Sequence, residues 1–443
     1  VMIYCLVSSN LQNSAYNSMA GGNVNMDNVE FVLGSTDSYW TRDYGPWWVV
    51  DGDRNMSVVD FTYNRPRPND NDAPLKISNH LNVPYFSADL IHCGGNYMTD
   101  GLGISASTDL VFEENDIAND QVLTMMEDYY GIETYHVVPD PNNTYIDHID
   151  CWGKYLSPTK VLIREVPNSH PQFDEIEEIS NYFSNSTTKW NEPWELYRVW
   201  TPSNQPYTNS LILNDKVLVP ITGSSWDEEA LAVYSDAMPG YEVIGFSGSW
   251  ESTDALHCRI KGVPDLEMLQ IFHNPLNDSI PPDSNGYKLD VIVDDLSESG
   301  LISDSMKIYW KTDEINNWNY AFLNYLDNIE NPNGWSGWIP ALADSSEIYY
   351  YIQSADSSGR VEKNPPAGWH KFFAYPTNAC TEWALGDLDN SGEINIIDIL
   401  LLADEIVDGS ISGSCSGYVS DINNDDQITI IDILLLINMI SNP

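Results

Sequence analysis

Three regions of different texture predict a mixed α/β domain, then an all-β domain, then a small helical module. To about residue 273, short β-rich runs alternate with amphipathic helical patterns. Residues 274–376 carry alternating aromatic and β-branched runs between turn-rich stretches, and residues 383–443 hold two similar acidic loops, each running into a Leu/Ile-rich helix. A length of 443 residues with 42% hydrophobic content exceeds what one core organises and supplies apolar material for several.

Within the first region, Val1-Met2-Ile3-Tyr4-Cys5-Leu6-Val7 reads as a strand that starts without an initiator Met. Residues ahead of Val1 are therefore expected, and no secretory leader can be read. Phe173, Ile176, Ile179 and Phe183 recur at helical spacing and share one face. Ser210–Leu213 and Lys216–Val219 flank Asn214-Asp215, a hairpin signal. Asn274 to Gly286 contains three Pro and reads as a linker. Beyond it, Met306–Trp310 and Glu347–Ile352 alternate like strands of a β-sandwich. The texture shifts again between Tyr375 and Trp383, and no Lys or Arg follows Lys371.

The net charge of −47 arises because Lys and Arg total only 19. Such a field repels nucleic acid and anionic membrane surfaces and favours cations. No apolar run of about twenty residues is present, so no transmembrane segment is expected. Six Cys are too few for a disulfide scaffold. Cys380 and Cys415 each lie shortly before one of the two C-terminal repeats, and a bridge between them is an expectation that free-thiol reactivity at both would refute.

The first repeat places Asp387, Asp389, Ser391 and Asp398 at loop positions one, three, five and twelve, with the Glu393 carbonyl at seven. The second places Asp421, Asn423, Asp425 and Asp432 likewise, with Gln427 at seven. Calcium takes six to eight oxygen ligands around a tight loop, and this spacing supplies them. An alternative is two acidic turns that merely cap helices. With Asp rather than Glu at position twelve and no entering helix, the pair resembles a type I dockerin. That resemblance implies structural calcium, a cohesin module as partner, and a secreted or cell-surface location. Ile396-Ile397 and Ile430-Ile431 stand where the family often shows hydroxyls, and Asp426 replaces the usual loop Gly.

Among the first 273 residues, Trp40-Thr41-Arg42-Asp43, Gly94-Gly95-Asn96, His148-Ile149-Asp150 and His257-Cys258-Arg259 together offer a thiol, imidazoles and carboxylates. A guanidinium is planar and permanently charged, so an enzyme acting on it wants carboxylates that accept its forked N–H groups. A thiolate can attack its central carbon while a His protonates the departing ammonia. Asp43, His148, Asp150 and Cys258 are the set such chemistry needs, although spacing alone does not single them out. Ser38–Trp47, Gly94–Gly101, His148–Tyr155, Tyr207–Leu211 and Asp254–Arg259 resemble bacterial-type peptidylarginine deiminase, related to agmatine deiminase among guanidino-group-modifying enzymes.

The resemblance implies a pentein-type α/β propeller of five ββαβ units with its site on the axis, the first unit incomplete here, followed by an Ig-like β-sandwich. It implies Cys258 as nucleophile, His148 as general acid and base, and Asp43 and Asp150 as guanidinium ligands. It also implies Arg65 and Arg67 as a clamp on the carboxylate of a C-terminal arginine. Asp150 and His148, two apart, are expected on one side of a strand. Trp40 could cover the guanidinium or fill core, Asp100 and Asn209 could line the pocket, and Asn96 is a weaker candidate. Cys151 and His257 are expected to point away from the site. No cofactor is expected for the chemistry. The expected activity is deimination of arginine-containing peptides or proteins. Alternatives are an agmatine or free-arginine deiminase, or a non-catalytic dockerin-bearing component.

Overall fold

The computed structural model describes residues 1–276, 279–280, 282–283, 285–312, 317–326, 333–375, 383–408, 419–423 and 427–441. The chain divides into two compact units, Val1–Glu267 and Met268–Pro443.

The first unit contains five small sheets. β1 (Ile3–Val7) and β2 (Val29–Leu33) pair in parallel around the helix Gln12–Gly21. Each of the other four sheets is an antiparallel pair whose second strand runs through a helix into a parallel third, which makes a ββαβ unit. They are β3 (Trp47–Val50), β4 (Met56–Tyr63) and β5 (Tyr85–His92); β6 (Met98–Thr99), β7 (Ile104–Thr108) and β8 (Thr134–Val138); β9 (Gly153–Ser157), β10 (Lys160–Glu165) and β11 (Glu195–Trp200); and β12 (Leu211–Leu213), β13 (Lys216–Ile221) and β14 (Glu242–Ser247). Repeated ββαβ units of this kind are consistent with the pentein superfamily.

Local sequence explains these elements. Asn214, at φ 52°, takes the left-handed turn between β12 and β13 that Asn tolerates. The helix Phe173–Ser184 buries Ile176, Ile179 and Phe183 against Val161 and Ile163 of β10. Helix Asp227–Ala237 presents Ala230, Tyr234 and Ala237 to Val217 and Val219 of β13.

In the second unit, β15 (Leu269–Phe272), β17 (Tyr287–Asp295), β21 (Gly334–Ile339) and β20 (Asn324–Tyr325) form one sheet in that order. The other runs β16 (Ser279–Ile280), β24 (His370–Ala374), β22 (Ser346–Ala355), β18 (Lys307–Thr312) and β19 (Asn319–Phe322), with β23 (Val361–Asn364) also on β22. Strict alternation in β17 and β22 sends Tyr287, Val291, Tyr350 and Ile352 into one core shared by both sheets. The segment 274–286, expected as a linker, thus contributes β16, which pairs in parallel with β24.

The helices Ile396–Asp408 and Ile430–Ser441 follow, and Leu388, Leu402, Val419 and Leu436 form their small core. Cys380, Cys415 and Asp425 lie outside the described residues. Among the described residues no helix is long and apolar enough to cross a membrane.

Tyr234 shows how packing supports the segment Tyr207–Ser210. Its buried hydroxyl donates to the Tyr207 carbonyl at 2.7 Å and bonds Ser210 Oγ at 2.8 Å. Tyr234→Phe strands both partners and is expected to cost about 1–2 kcal/mol, read from the urea-unfolding midpoint. An unchanged midpoint would show that this bond does not brace the segment.

Candidate active site

The predicted residues converge because they occupy the connections between the ββαβ units. Trp40–Tyr44 lies just before β3, Gly94–Asn96 before β6, His148–Cys151 before β9, Tyr207–Ser210 before β12, and His257–Arg259 follows β14. Hydrogen bonds lace these connections together. Thr41 Oγ1 donates to the Arg259 carbonyl at 2.8 Å, and Arg42 Nε to the His257 carbonyl at 3.3 Å. Asn96 Oδ1 accepts from the backbone of Thr108 and Ile149, and Thr208 Oγ1 donates to the Asp150 carbonyl.

Three of these connections are single 3-10 turns, which corrects two expectations. Ile149–Cys151 is a turn and not a strand, so shared strand parity is not what brings His148 and Asp150 together. His257–Arg259 is likewise a turn, so His257 does not point away. Its Nδ1 lies 2.7 Å from Asp150 Oδ2. Cys151 Sγ also reaches Asp150, at 3.7 Å from Oδ1, while its body packs with Ile149 and Trp152 in the core.

Cys258 sits beside Asn209 and Asp150. Asn209 Nδ2 lies 3.2 Å from Cys258 Sγ, and its Oδ1 accepts the backbone N–H groups of His257 and Cys258. Asp150 Oδ2 lies 3.7 Å from the same sulfur. Across the site, Asp43 Oδ1 lies 3.9 Å from His148 Nδ1. Asp43 Oδ1 and His148 Nε2 are buried with no hydrogen-bond partner, an arrangement that costs free energy until something fills it. Gly95 fits here because a Cβ would come within 2.6 Å of His148 Nδ1 and 2.7 Å of Asp43 Oδ1.

Burial governs the electrostatics. It pushes the Asp43 carboxyl up to about 7, with the Asp150 charge adding to the rise. Burial also raises Asp150, against the Lys154 and Arg42 charges that favour its ionised form. The Cys258 thiol is raised by burial and then by the two carboxylates. His148 is held down at about 3 by burial and next by the charge of Arg65. The resting site therefore favours a neutral thiol and a neutral imidazole.

Arg67 stands with its guanidinium 4.7 Å from the Trp40 ring centroid and Nη1 3.2 Å from the Tyr63 hydroxyl. The Trp40 ring thus already holds a guanidinium from the chain itself. Arg65 Nη1 is 3.8 Å from Glu114 Oε1. Asp100 instead organises the β6–β7 turn, its Oδ1 accepting from Leu102 and Ile104. Sequence reasoning gave no role to Cys93, whose sulfur groups with Asp43 and His148 within 4.8 Å, or to the buried Lys154. Lys154 lies within the His148–Tyr155 motif; Cys93 is signalled only by adjoining Gly94-Gly95.

In the C-terminal module, ligand-capable oxygens of Asp387, Asp389 and Asp398 lie within 4.8 Å of one another, with Asp387 and Asp398 buried. Asp398 accepts from Leu388 and Asn395, and Asp432 accepts from Ile422 and Thr429, so the two loops repeat one hydrogen-bond pattern. Ser391 Oγ donates to the Glu393 carbonyl.

The family model for Porphyromonas-type peptidyl-arginine deiminase matches residues 1–264, and that for the dockerin type I domain matches residues 385–441. The agmatine deiminase of Medicago truncatula is 24% identical over 300 residues, covering 54% of this chain and 79% of the relative. A solved agmatine deiminase of Enterococcus faecalis superposes with a TM-score of 0.50 at 18% identity, covering 55% of this chain and 77% of that one. The likeness to the solved structure speaks to the fold alone. On the match across residues 1–264, this chain belongs to the Porphyromonas-type peptidyl-arginine deiminase family, and it carries a dockerin type I domain over residues 385–441.

Proposed function

We infer that the α/β domain hydrolyses the guanidinium of a small substrate, agmatine or free arginine, to a ureido group and ammonia. The observation that supports this most is the meeting of Cys258 with Asn209 and Asp150 opposite the unpartnered, buried oxygen of Asp43 and nitrogen of His148. The curated relative is an agmatine deiminase, which favours a small guanidino compound.

In this reading, Asp43 and Asp150 accept the N–H groups of the substrate. Arrival of a positive charge beside the two carboxylates offsets the part of the rise in the Cys258 thiol that they add to burial. That proton passes to neutral His148, and the thiolate attacks the central carbon. His148 returns the proton to one amino group, which departs as ammonia and leaves a thiouronium. Water, giving a proton to His148, adds to the same carbon, and collapse expels the thiolate and frees the ureido product. Asn209 steadies the sulfur throughout.

A second reading is favoured by Arg65 and Arg67. The charge of Arg65 reaches Asp43 and His148, and Arg67 is propped on Trp40 nearby in sequence. Two arginines would repel the free amine of agmatine and attract a carboxylate, as in free arginine or a C-terminal arginine residue. The all-β region 274–376, between domains read as 1–273 and 383–443, is taken here as an Ig-like sandwich.

The dockerin domain implies a cohesin-type partner, and it suits an extracellular or cell-surface location. Its oxygen-rich loops fit calcium. Asp387, Asp389, Ser391, Asp398 and the Glu393 carbonyl would hold one ion, and Asp421, Asn423, Asp432 and the Gln427 carbonyl the other. Bound calcium would neutralise the clustered carboxylates and fix each loop against its helix.

Three experiments test these assignments. Agmatine and free arginine should show kcat/KM at least about 10-fold above an arginine-terminated peptide, with Cys258→Ala abolishing product. Preference for the peptide, lost when its C-terminus is amidated, would replace this reading by the second. The sign of the Asp43 shift fixes the acid limb: below about pH 7 the carboxyl gains a proton and stops attracting a cation, so kcat/KM should fall there. A profile flat down to pH 5 would remove Asp43 as a guanidinium ligand. Calorimetric titration should find about two calcium ions per chain and about one in Asp432→Ala. Undiminished stoichiometry in that variant would exclude Asp432 as a ligand.

A further inference from the structure

Beyond Met268 the chain has only six cationic side chains: Lys288, Lys307, Lys311, Arg360, Lys363 and Lys371. Four of them project from one face of the β24-β22-β18-β19 sheet and its β23 edge. The pairings put Lys307 and Lys311 on the face that carries Tyr349 and Tyr351 of β22, with Lys371 opposite Tyr349 and Lys363 opposite Gln353. The partly exposed positions of β18 and β22 alternate with buried ones, so this is the side turned from the core.

Aromatic rings surround these ammonium groups. Lys311 Nζ lies 5.0 Å from the Trp318 ring centroid, 5.6 Å from Tyr349 and 5.4 Å from Trp369. Lys307 Nζ lies 4.8 Å from Tyr320 and 5.4 Å from Phe322, and Lys363 Nζ 4.8 Å from Tyr351. Tyr320 and Phe322 are 56% and 49% exposed, which is unusual apolar exposure for paired strand residues. Among the described residues, Lys307, Lys311 and Lys363 have no carboxylate partner, although the chain carries 66 Asp and Glu, whereas Lys371 pairs with Glu347 at 3.2 Å. In so acidic a molecule, cations without carboxylate partners gathered on one aromatic face leave a local site for an anion.

We propose that this sheet face binds an acidic polysaccharide, a polymer of pyranose rings bearing carboxylates. The C–H faces of pyranose rings pack on aromatic surfaces, and their carboxylates meet ammonium groups, so the polymer alternates the same two features as the protein face. Along β18, Lys307, Tyr309 and Lys311 recur every second residue, roughly 7 Å apart, which suits an extended chain lying on a flat sheet. A polynucleotide is the poorer match. Its phosphates are dense and uniform, and the net charge of −47 opposes them over the whole surface. At physiological salt, screening beyond about 8 Å confines attraction to contacts the lysines themselves make.

The test is affinity electrophoresis of the full chain in gels containing polygalacturonate, its fully methyl-esterified form, or single-stranded DNA. Polygalacturonate should retard the protein, the uncharged ester should do so less, and DNA should not. The double variant Lys307→Gln/Lys311→Gln keeps the side-chain stems and should weaken retardation by about 10-fold in apparent Kd. Tyr320→Ala, at the exposed edge, supplies an independent loss, and unchanged melting temperatures certify folding. Absence of retardation by polygalacturonate, equal retardation of the lysine variant, or tighter binding of DNA would each overturn the proposal. So would sedimentation showing a dimer of the wild-type chain that the lysine variant lacks, because the face would then serve a second copy.

Discussion

Holding two carboxylates out of water beside a thiol is the constraint on which the rest of the α/β domain depends. Asp43 and Asp150 are 8% and 2% exposed, and ionised groups at that depth are expensive unless countercharge is near. Arg42 and Lys154 supply part of it from within the protein, each pushed down in turn by its own burial. The remainder is left open, as the unpartnered Asp43 Oδ1 and His148 Nε2 record. Under the proposed function, a cation that also offers N–H donors would fill that opening. Burial first, and the Asp150 and Asp43 carboxylates next, raise the Cys258 thiol and favour its protonated form.

Such precision needs stiff supports, and the ββαβ units provide them at their seams. Each catalytic side chain stands on a connection bracketed by strands, and Asn209 joins the segment before β12 to the turn after β14 through both ends of its amide. The units were legible in the sequence where chemistry repeats with period two or near four, as at Lys216–Val219 or Ile176, Ile179 and Phe183. The seams were not. A 3-10 turn of three residues has no periodicity to read, so the sequence suggests extended chain at Ile149–Cys151 and His257–Arg259, where the structure has turns. The quoted residues Asp43, His148, Asp150, Asn209 and Cys258 are nevertheless brought together. Composition and spacing could not have chosen them, because a carboxylate of equal local character occurs at Asp100, whose Oδ1 organises a turn while its Oδ2 is buried without a hydrogen-bond partner.

Arg65 and Arg67 show where legibility ends for specificity. Sequence places two arginines among prolines, but their use depends on what else faces them. The Tyr63 hydroxyl, the Trp40 ring and Glu114 all take part of their hydrogen-bonding or electrostatic capacity. A guanidinium resting on an aromatic face keeps its in-plane donors, so Arg67 can still grip a planar acceptor. Glu114 lies 3.8 Å from Arg65, so under the second proposed reading an incoming carboxylate would compete with that ion pair.

The acidity of the chain is distributed with the same economy of cations. Beyond Lys371 there are none, and among the described residues the carboxylates of the dockerin loops take backbone N–H groups and the hydroxyls of Ser391 and Thr429. Asp398 and Asp432 accept equivalent pairs of backbone N–H groups, Asp387 and Asp389 accept those of Ser391 and Gly392, and these hydrogen bonds bring oxygens of Asp387, Asp389 and Asp398 within 4.8 Å of one another. In the middle region Lys288 and Lys371 pair with Asp290 and Glu347, while Lys307, Lys311 and Lys363 are set on aromatic rings, which hold a cation without neutralising it. A carboxylate partner would have stabilised each lysine about as well on an exposed surface, where ion pairs are worth little. Placing rings beside Lys307, Lys311 and Lys363 instead leaves those three charges unneutralised by any described carboxylate, which is what the proposed binding of an acidic polymer would use.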